Sequence, residues 1–213
     1  MYNSHICVFG STSSGKTYWS GYMFRQMPNW NIFFNTQAEP ALSRDFGGYE
    51  VSGIEDFTEA LTEGHRRRIV YTPESETIAE QQEEISEIID ILYGIGKIMN
   101  AAGRRHIWCH LYIDEVHLLS SKKSPFSMVD RIATQGKRYG VVGVFISQRP
   151  ALVSQTLITQ SDSQVIFRCN SYEIPYFERY GFPISEYKIW LARPYHYIID
   201  NGVRIGKMNP ITV

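Results

Sequence analysis

Cys7, Cys109 and Cys169 are too few for a disulfide framework, and their spacing suits no metal site. Each falls in an apolar, strand-like stretch, where a buried free thiol in a reducing compartment is expected. No apolar run approaches the ~20 residues needed to span a bilayer, so no integral membrane segment is expected. The start, Met1-Tyr2-Asn3-Ser4-His5, has neither the basic nor the apolar region of a secretion signal. Neither sign of charge dominates, since 21 basic and 22 acidic residues leave a net charge of -1. That balance excludes a histone-like coat of positive charge, although a ring-shaped motor can confine its basic groups to a pore. Repeats, low-complexity tracts and linkers are also missing. A length of 213 residues with 43% hydrophobic content fits one domain over 1–213 and is short for two.

What is present alternates between two periodicities. Strands are predicted at 6–9, 31–34, 68–71, 107–113, 141–146 and 164–168. Most are continuous apolar runs, as expected for strands covered on both faces. Helical patterns lie between them, at 16–27, around Ile54, Phe57 and Leu61, and over a long segment expected to start near Thr72-Pro73. That segment carries Ile78, Ile85, Ile88, Ile89, Leu92, Ile95 and Met99 at helical spacing, with acids crowded into its N-terminal part. The alternation predicts a three-layer α/β fold with a mainly parallel sheet. The end differs: 195–200, Asn201-Gly202 and 203–208 read as a hairpin closed by a type I′ turn.

Gly10-Ser11-Thr12-Ser13-Ser14-Gly15-Lys16-Thr17 stands between a predicted strand and a predicted helix and matches G-x-x-x-x-G-K-[ST]. In such a loop, successive backbone N–H groups and the helix N-terminus cradle phosphates. Gly10 and Gly15 allow close approach, Lys16 places a charge on the β- and γ-phosphates, and Thr17 offers its hydroxyl to Mg²⁺. The cofactors expected are therefore ATP and Mg²⁺. Downstream, His110-Leu111-Tyr112-Ile113-Asp114-Glu115 is an apolar strand ending in two acids. Asp114 would support the metal and Glu115 would polarise the attacking water. His117 reads as a surface or packing residue. The distance in sequence from Lys16 to Asp114 leaves room for two further strands and two helices. It suits the P-loop division that inserts a strand between the phosphate-loop strand and the acidic strand and uses a catalytic glutamate. No Asn-Lys-x-Asp motif marks a GTPase.

A third apolar strand, starting at Val141, ends in Ser147-Gln148-Arg149-Pro150. In order with the other two motifs, it resembles the FtsK/HerA superfamily of ATP-driven DNA pumps. That superfamily has a glutamine at this strand tip, so the resemblance implies that Gln148 senses the γ-phosphate. The preceding segment 131–140 resembles the family's helix and turn. By that likeness Arg138 is the first candidate, and Arg131 the second, for an arginine that reaches a neighbouring subunit's ATP. Lys137 and Arg138 also suit a helix C-terminus without catalytic duty. The phosphate loop departs from the family at Ser13, where glycine is common. The compact chain with its C-terminal hairpin resembles the genome-packaging ATPases of viruses with internal membranes, and most resembles those of archaeal turreted icosahedral viruses.

That resemblance implies a homo-oligomeric ring, a hexamer by analogy, which drives double-stranded DNA into a capsid and meets portal or vertex proteins. It would act in the host cytoplasm, associated transiently or permanently with the virion. Lys122 and Lys123, within Ser120-Ser121-Lys122-Lys123-Ser124-Pro125, are the best placed DNA-contact candidates, with Arg66-Arg67-Arg68 and Arg104-Arg105 as alternatives. Two other classes stay open: a nucleotide-switched assembly or extrusion factor, and a small-molecule kinase.

Overall fold

A computed structural model describes residues 3–64, 67–123 and 127–211. Strand β1 (Ile6–Phe9) leads through the glycine-rich turn into helix α1 (Lys16–Gln26). There follow β2 (Trp30–Phe34), α2 (Leu42–Phe46), β3 (Tyr49–Ser52), α3 (Ile54–Glu63), β4 (Arg68–Thr72) and the long α4 (Ile78–Ala101). Then come β5 (Cys109–Ile113), α5 (Met128–Gln135), β6 (Val141–Ser147), α6 (Gln155–Gln160) and β7 (Ser163–Ile166). The chain continues with α7 (Ile174–Arg179), α8 (Ile184–Leu191), β8 (Tyr197–Asp200) and β9 (Ile205–Met208).

The nine strands form one sheet in the order β3-β4-β2-β5-β6-β1-β7-β8-β9. The seven from β3 to β7 are parallel, and β8 and β9 add antiparallel at the edge. Strand β6 lies between β1 and β5, which is the inserted strand expected from the motif spacing. The segment between phosphate loop and acidic strand holds three strands, β2, β3 and β4, rather than the two expected, because the short edge strand β3 lacks an apolar run.

Strand alternation makes the three layers. Ile6 and Val8 of β1 join Phe33, Tyr112, Val144 and Ile146 on one face, under Trp19 and Phe24 of α1 and Leu42 and Phe46 of α2. Cys7 and Phe9 join Ile32, Phe34, Leu111, Ile113 and Phe145 on the other, against Phe57 of α3, the Ile85–Leu92 stripe of α4 and Ile132 of α5. Burial on both faces is why these strands read as unbroken apolar runs.

Three local expectations are corrected. Helix α4 starts at Ile78, not near Thr72-Pro73, because the Glu84 carboxylate accepts from the backbone N–H groups of Glu74 and Ser75 and holds that stretch as a loop. Its cap is Thr77, whose hydroxyl oxygen accepts from the Glu80 N–H while its O–H donates to the Glu80 carboxylate, which satisfies one of the free N–H groups of the first turn. The hairpin turn is not type I′. Asp200 pairs with Ile205, so the loop has four residues, and of its members only Gly202 takes positive φ. Asn201 Oδ1 accepts from the N–H groups of Val203 and Arg204 and closes the loop from within. Strand β3 is absent from the sequence-based prediction: it is an edge strand with exposed Tyr49 and Glu50, and only Val51 is buried.

Candidate functional site

The phosphate loop, the acidic pair and the glutamine all sit at the C-terminal ends of adjacent strands β5, β6 and β1. Loop and sheet are tied by the Ser11 N–H and the Ser11 hydroxyl, both donating to the Arg168 carbonyl just beyond β7. Gly10 has no space for a side chain, since a Cβ there would lie 2.6 Å from Ser14 Oγ and 2.7 Å from Phe167 Cβ. Gly15, at φ 109°, opens α1. Ser13 holds φ 58°, the left-handed region in which glycine is at ease and serine is strained.

Lys16 is 7% exposed, and its Nζ donates to the Ser11 carbonyl at 3.0 Å, folding the ammonium over the loop. Burial lowers its pKa, against the pull of Glu115 and Asp114. Ser14 Oγ is buried without a hydrogen-bond partner, whereas the neighbouring Thr17 is exposed.

Burial, and then the adjacent Glu115 carboxylate, push Asp114 up to about 6. Asp114 Oδ1 accepts from the Glu115 N–H at 2.9 Å, and Glu115 itself stands at φ 40°. The Glu115 carboxylate meets His117 Nδ1 at 3.1 Å and accepts from the Gln148 N–H at 3.4 Å. His117 Nδ1 also lies 3.0 Å from Ser147 Oγ. Of the two readings of His117, surface or packing, the surface one is corrected: its side chain is 8% exposed and lies against the Glu115 carboxylate. Gln148 faces the loop directly, its Oε1 accepting from the Thr12 hydroxyl at 2.6 Å. A chain of contacts thus runs from Thr12 through Gln148 to Glu115 and His117. The only sequence sign of it was a serine before the glutamine and a histidine two places after the glutamate.

These residues fit a bound phosphate chain with a hard divalent cation. The glycine cradle, the orphaned Ser14 hydroxyl and the helix N-terminus are suited to anionic oxygens. Thr17 and Asp114 offer the oxygen donors that Mg²⁺ takes, and such sites use few protein ligands because phosphates and water supply the rest. Among the described residues no group of three or more His, Cys, Asp or Glu side chains is arranged to hold a metal ion by itself.

The other predicted residues lie elsewhere. Arg138 is exposed at the N-terminal end of β6, with its guanidinium over the Tyr139 ring. The seven residues of β6 separate it from Gln148, roughly 23 Å along a strand. Arg131 lies 3.7 Å from Asp90 and 5.5 Å from the Tyr93 ring centroid. Lys122 and Lys123 are exposed on the loop after the acidic strand, Lys122 above the Tyr176 ring at 4.4 Å. Ser124, Pro125 and Arg66 fall outside the described residues. Arg67, Arg68, Arg104 and Arg105 are exposed near the opposite, N-terminal ends of the strands. Of the cysteines, Cys7 and Cys109 are buried in strands, while Cys169 lies just past β7 and is partly covered. No helix among the described residues is long and apolar enough to cross a membrane.

No protein-family model matches the sequence, and no curated protein matches it. Solved structures do. The genome packaging NTPase B204 of Sulfolobus turreted icosahedral virus 2, in complex with AMPPCP, superposes with a TM-score of 0.72 at 16% identity over 100% of both chains. The B204 DNA-packaging ATPase of Sulfolobus turreted icosahedral virus gives 0.73 at 16% over 99% of this chain and 98% of that one. VirB4 of Thermoanaerobacter pseudethanolicus gives 0.70 at 7% over 98% and 90%. With its inserted β6 and its antiparallel edge, the chain shares the α/β P-loop fold of the packaging NTPase B204 and of VirB4.

Proposed function

We propose that this protein is a Mg²⁺-dependent ATPase that drives double-stranded viral DNA into a preformed capsid as a homo-oligomeric ring. The observation that carries the ATPase part is the contact chain Thr12–Gln148–Glu115, which joins the phosphate loop to the acid beside it. The likeness to packaging ATPases over the whole chain supports the DNA part.

In this reading the triphosphate lies in the 10–17 loop, and the Lys16 ammonium exchanges the Ser11 carbonyl for β- and γ-phosphate oxygens. Thr17 and Asp114 would hold Mg²⁺, which supplies charge neutralisation on those oxygens. Glu115, oriented by His117 and by the Gln148 N–H, accepts the proton of the attacking water. Loss of the γ-phosphate would be felt at Thr12 and passed to Gln148, and so to the end of β6. Arg138 lies too far along β6 to serve its own loop, so any catalytic role it has is toward a neighbouring subunit's nucleotide. A hexamer is the ring size expected by analogy. Lys122 and Lys123, at the same C-terminal end of the strands as the phosphate site, are the proposed DNA contacts, and portal or vertex proteins the proposed docking partners.

The deciding measurement is ATP turnover with and without linear duplex DNA, alongside oligomer mass. Stimulation that fades steeply with salt, and a ring-sized mass, are expected, because phosphate-backbone contacts release counter-ions. A monomer indifferent to DNA would overturn the packaging reading and favour a kinase.

A further inference from the structure

Three clefts join end to end across the N-terminal ends of the strands. The first, of about 780 Å³, lies at the start of β6 and holds Lys97, Arg105, Lys137 and Arg138. The second, of about 400 Å³, passes Trp108 and Trp30 at the starts of β5 and β2 and holds Arg67 and Arg104. The third, of about 780 Å³, begins again at Arg67 and reaches Arg68, the first residue of β4. His106 is common to the first two, and Asn29 and Arg67 to the last two, so together they make one groove. Because β6, β5, β2 and β4 are consecutive in the sheet, the groove crosses three strand spacings, roughly 14 Å.

Among the described residues, seven of the chain's 21 basic side chains line this groove, and none of its 22 acidic ones does. In a chain whose charges nearly cancel, that segregation makes a local positive field. Of the seven, only Lys137 meets a carboxylate among the described residues, at Asp162. Lys97 and Arg138 instead lie over the Tyr139 ring, each 5.8 Å from its centroid, and Arg68 donates to the Arg25 carbonyl at 2.7 Å. The negative end of the α4 dipole accounts for cations near that helix terminus, at Lys97, Arg104 and Arg105. It does not account for Arg67 and Arg68 at the start of β4, nor for the exclusion of acids along the whole groove.

We propose that this groove is a second nucleic-acid contact, which binds the phosphate backbone of duplex DNA at the end of the strands away from the Lys122-Lys123 loop. The inference rests on the DNA reading given above. Five of the seven cations are arginines, whose planar fork matches phosphate oxygens. Setting aside Lys137, which is paired, and Arg138, a candidate toward a neighbouring subunit, leaves Lys97, Arg67, Arg68, Arg104 and Arg105. The span of the groove is comparable to the ~12 Å width of the major groove of B-DNA, so its two ends can meet phosphates of both strands. Such contacts carry no sequence information and release counter-ions.

The test is binding of a linear duplex across a salt series by the intact protein, by Arg67→Ala/Arg104→Ala/Arg105→Ala, by Arg105→Ala alone and by Lys122→Ala/Lys123→Ala. Arg67, Arg104 and Arg105 are all exposed, and the single variant keeps the test open should the triple one fail to fold. Each phosphate contact adds about 0.9 to the slope of log affinity against log salt. The triple variant is therefore expected to lose about tenfold or more in affinity and roughly 2.7 in slope, and Arg105→Ala about 0.9 in slope. A triple variant with unaltered affinity and slope would overturn the proposal, as would affinity lost only in Lys122→Ala/Lys123→Ala. Vesicles of anionic phospholipid serve as the competing ligand: if the triple variant loses these while holding DNA as before, the groove belongs to a membrane surface and the proposal fails. An intact protein that binds no duplex at all would remove the packaging reading itself, and the groove assignment with it.

Discussion

Of the four non-glycine residues at positive φ among the described residues, Ser13 lies in the phosphate loop, Glu115 in the acidic pair and Tyr195 against Gly15, while Ala38 follows β2. Strain of this kind commonly concentrates where geometry serves chemistry. At Ser13 it is open to relief. Ser13→Gly is expected to raise stability by about 1 kcal/mol or less, since relaxation in the fold is partly offset by greater freedom of the unfolded chain. Urea midpoints of the two proteins check this, and a clear loss of stability would mean that the serine makes a bond that matters. At Glu115 the strained backbone aims a carboxylate that His117 and the Gln148 N–H hold. Replacement by glutamine keeps the shape and removes the base, so Glu115→Gln should bind ATP as before while turnover falls about 10²–10⁴-fold. Undiminished turnover in that variant would remove Glu115 from the mechanism.

Helix α4 shows how an element is placed by a few contacts that periodicity does not contain. Its apolar stripe at Ile85, Ile88, Ile89 and Leu92 was legible from the sequence, and all four are buried. Its start was not, because Thr77 rather than Thr72 caps it, and only the fold brings Glu84 back onto the Glu74-Ser75 loop. Near its other end, Gly96 packs against the turn that leads into β6. A Cβ there would collide with the Tyr139 carbonyl, while Tyr93 stacks on the Tyr139 ring at 4.4 Å. Gly96→Ala should therefore destabilise by about 1–3 kcal/mol, although alanine is the better helix former. Thermal unfolding measures it, and a stabilised variant would show that α4 slides freely on the turn.

Across the molecule, the two ends of the sheet carry different groups. The phosphate loop, Asp114, Glu115, Gln148 and the Lys122-Lys123 loop lie at the C-terminal ends of the strands, and Lys97, Arg105, Lys137 and Arg138 gather at the other end, around a cleft of about 780 Å³. If Arg138 completes a neighbour's site, Arg138→Ala should lower turnover about 10³–10⁵-fold. Mixing that variant with Glu115→Gln subunits should then restore part of the activity, because some interfaces pair an intact loop with an intact arginine. A mixture no more active than its parts would leave Arg138 without a role across the interface. Beneath this end, His5 is 1% exposed and its Nδ1 accepts from the Gly143 N–H at 3.0 Å. Burial, aided by Lys137 and opposed by Asp162, holds its pKa down at about 4 against an ordinary 6.5. The unfolded chain thus takes up a proton that the folded one refuses. His5 contributes its full stability above about pH 6.5 and loses it as the pH falls toward 4, by on the order of 3 kcal/mol. Urea midpoints at pH 7 and pH 4.5 should show that drop, and His5→Gln should flatten it.

By itself the sequence determined the local chemistry. The glycine-lysine loop between strand and helix, the acids ending one apolar run and the glutamine ending another are short-range patterns, and their residues lie where such patterns place them, at the tips of β1, β5 and β6. The parallel core was readable for the same reason, because strands buried on both faces must be apolar throughout. The tertiary structure alone decided what those tips touch. The strand order puts β6 between β1 and β5, so that Gln148 reaches Thr12 across 136 residues and Glu115 across 33, pairings between distant segments that no local pattern encodes. The contacts of His117 escaped the sequence for that reason: a histidine on a turn has no period, and it meets both Glu115 and Ser147 only because β5 and β6 lie side by side.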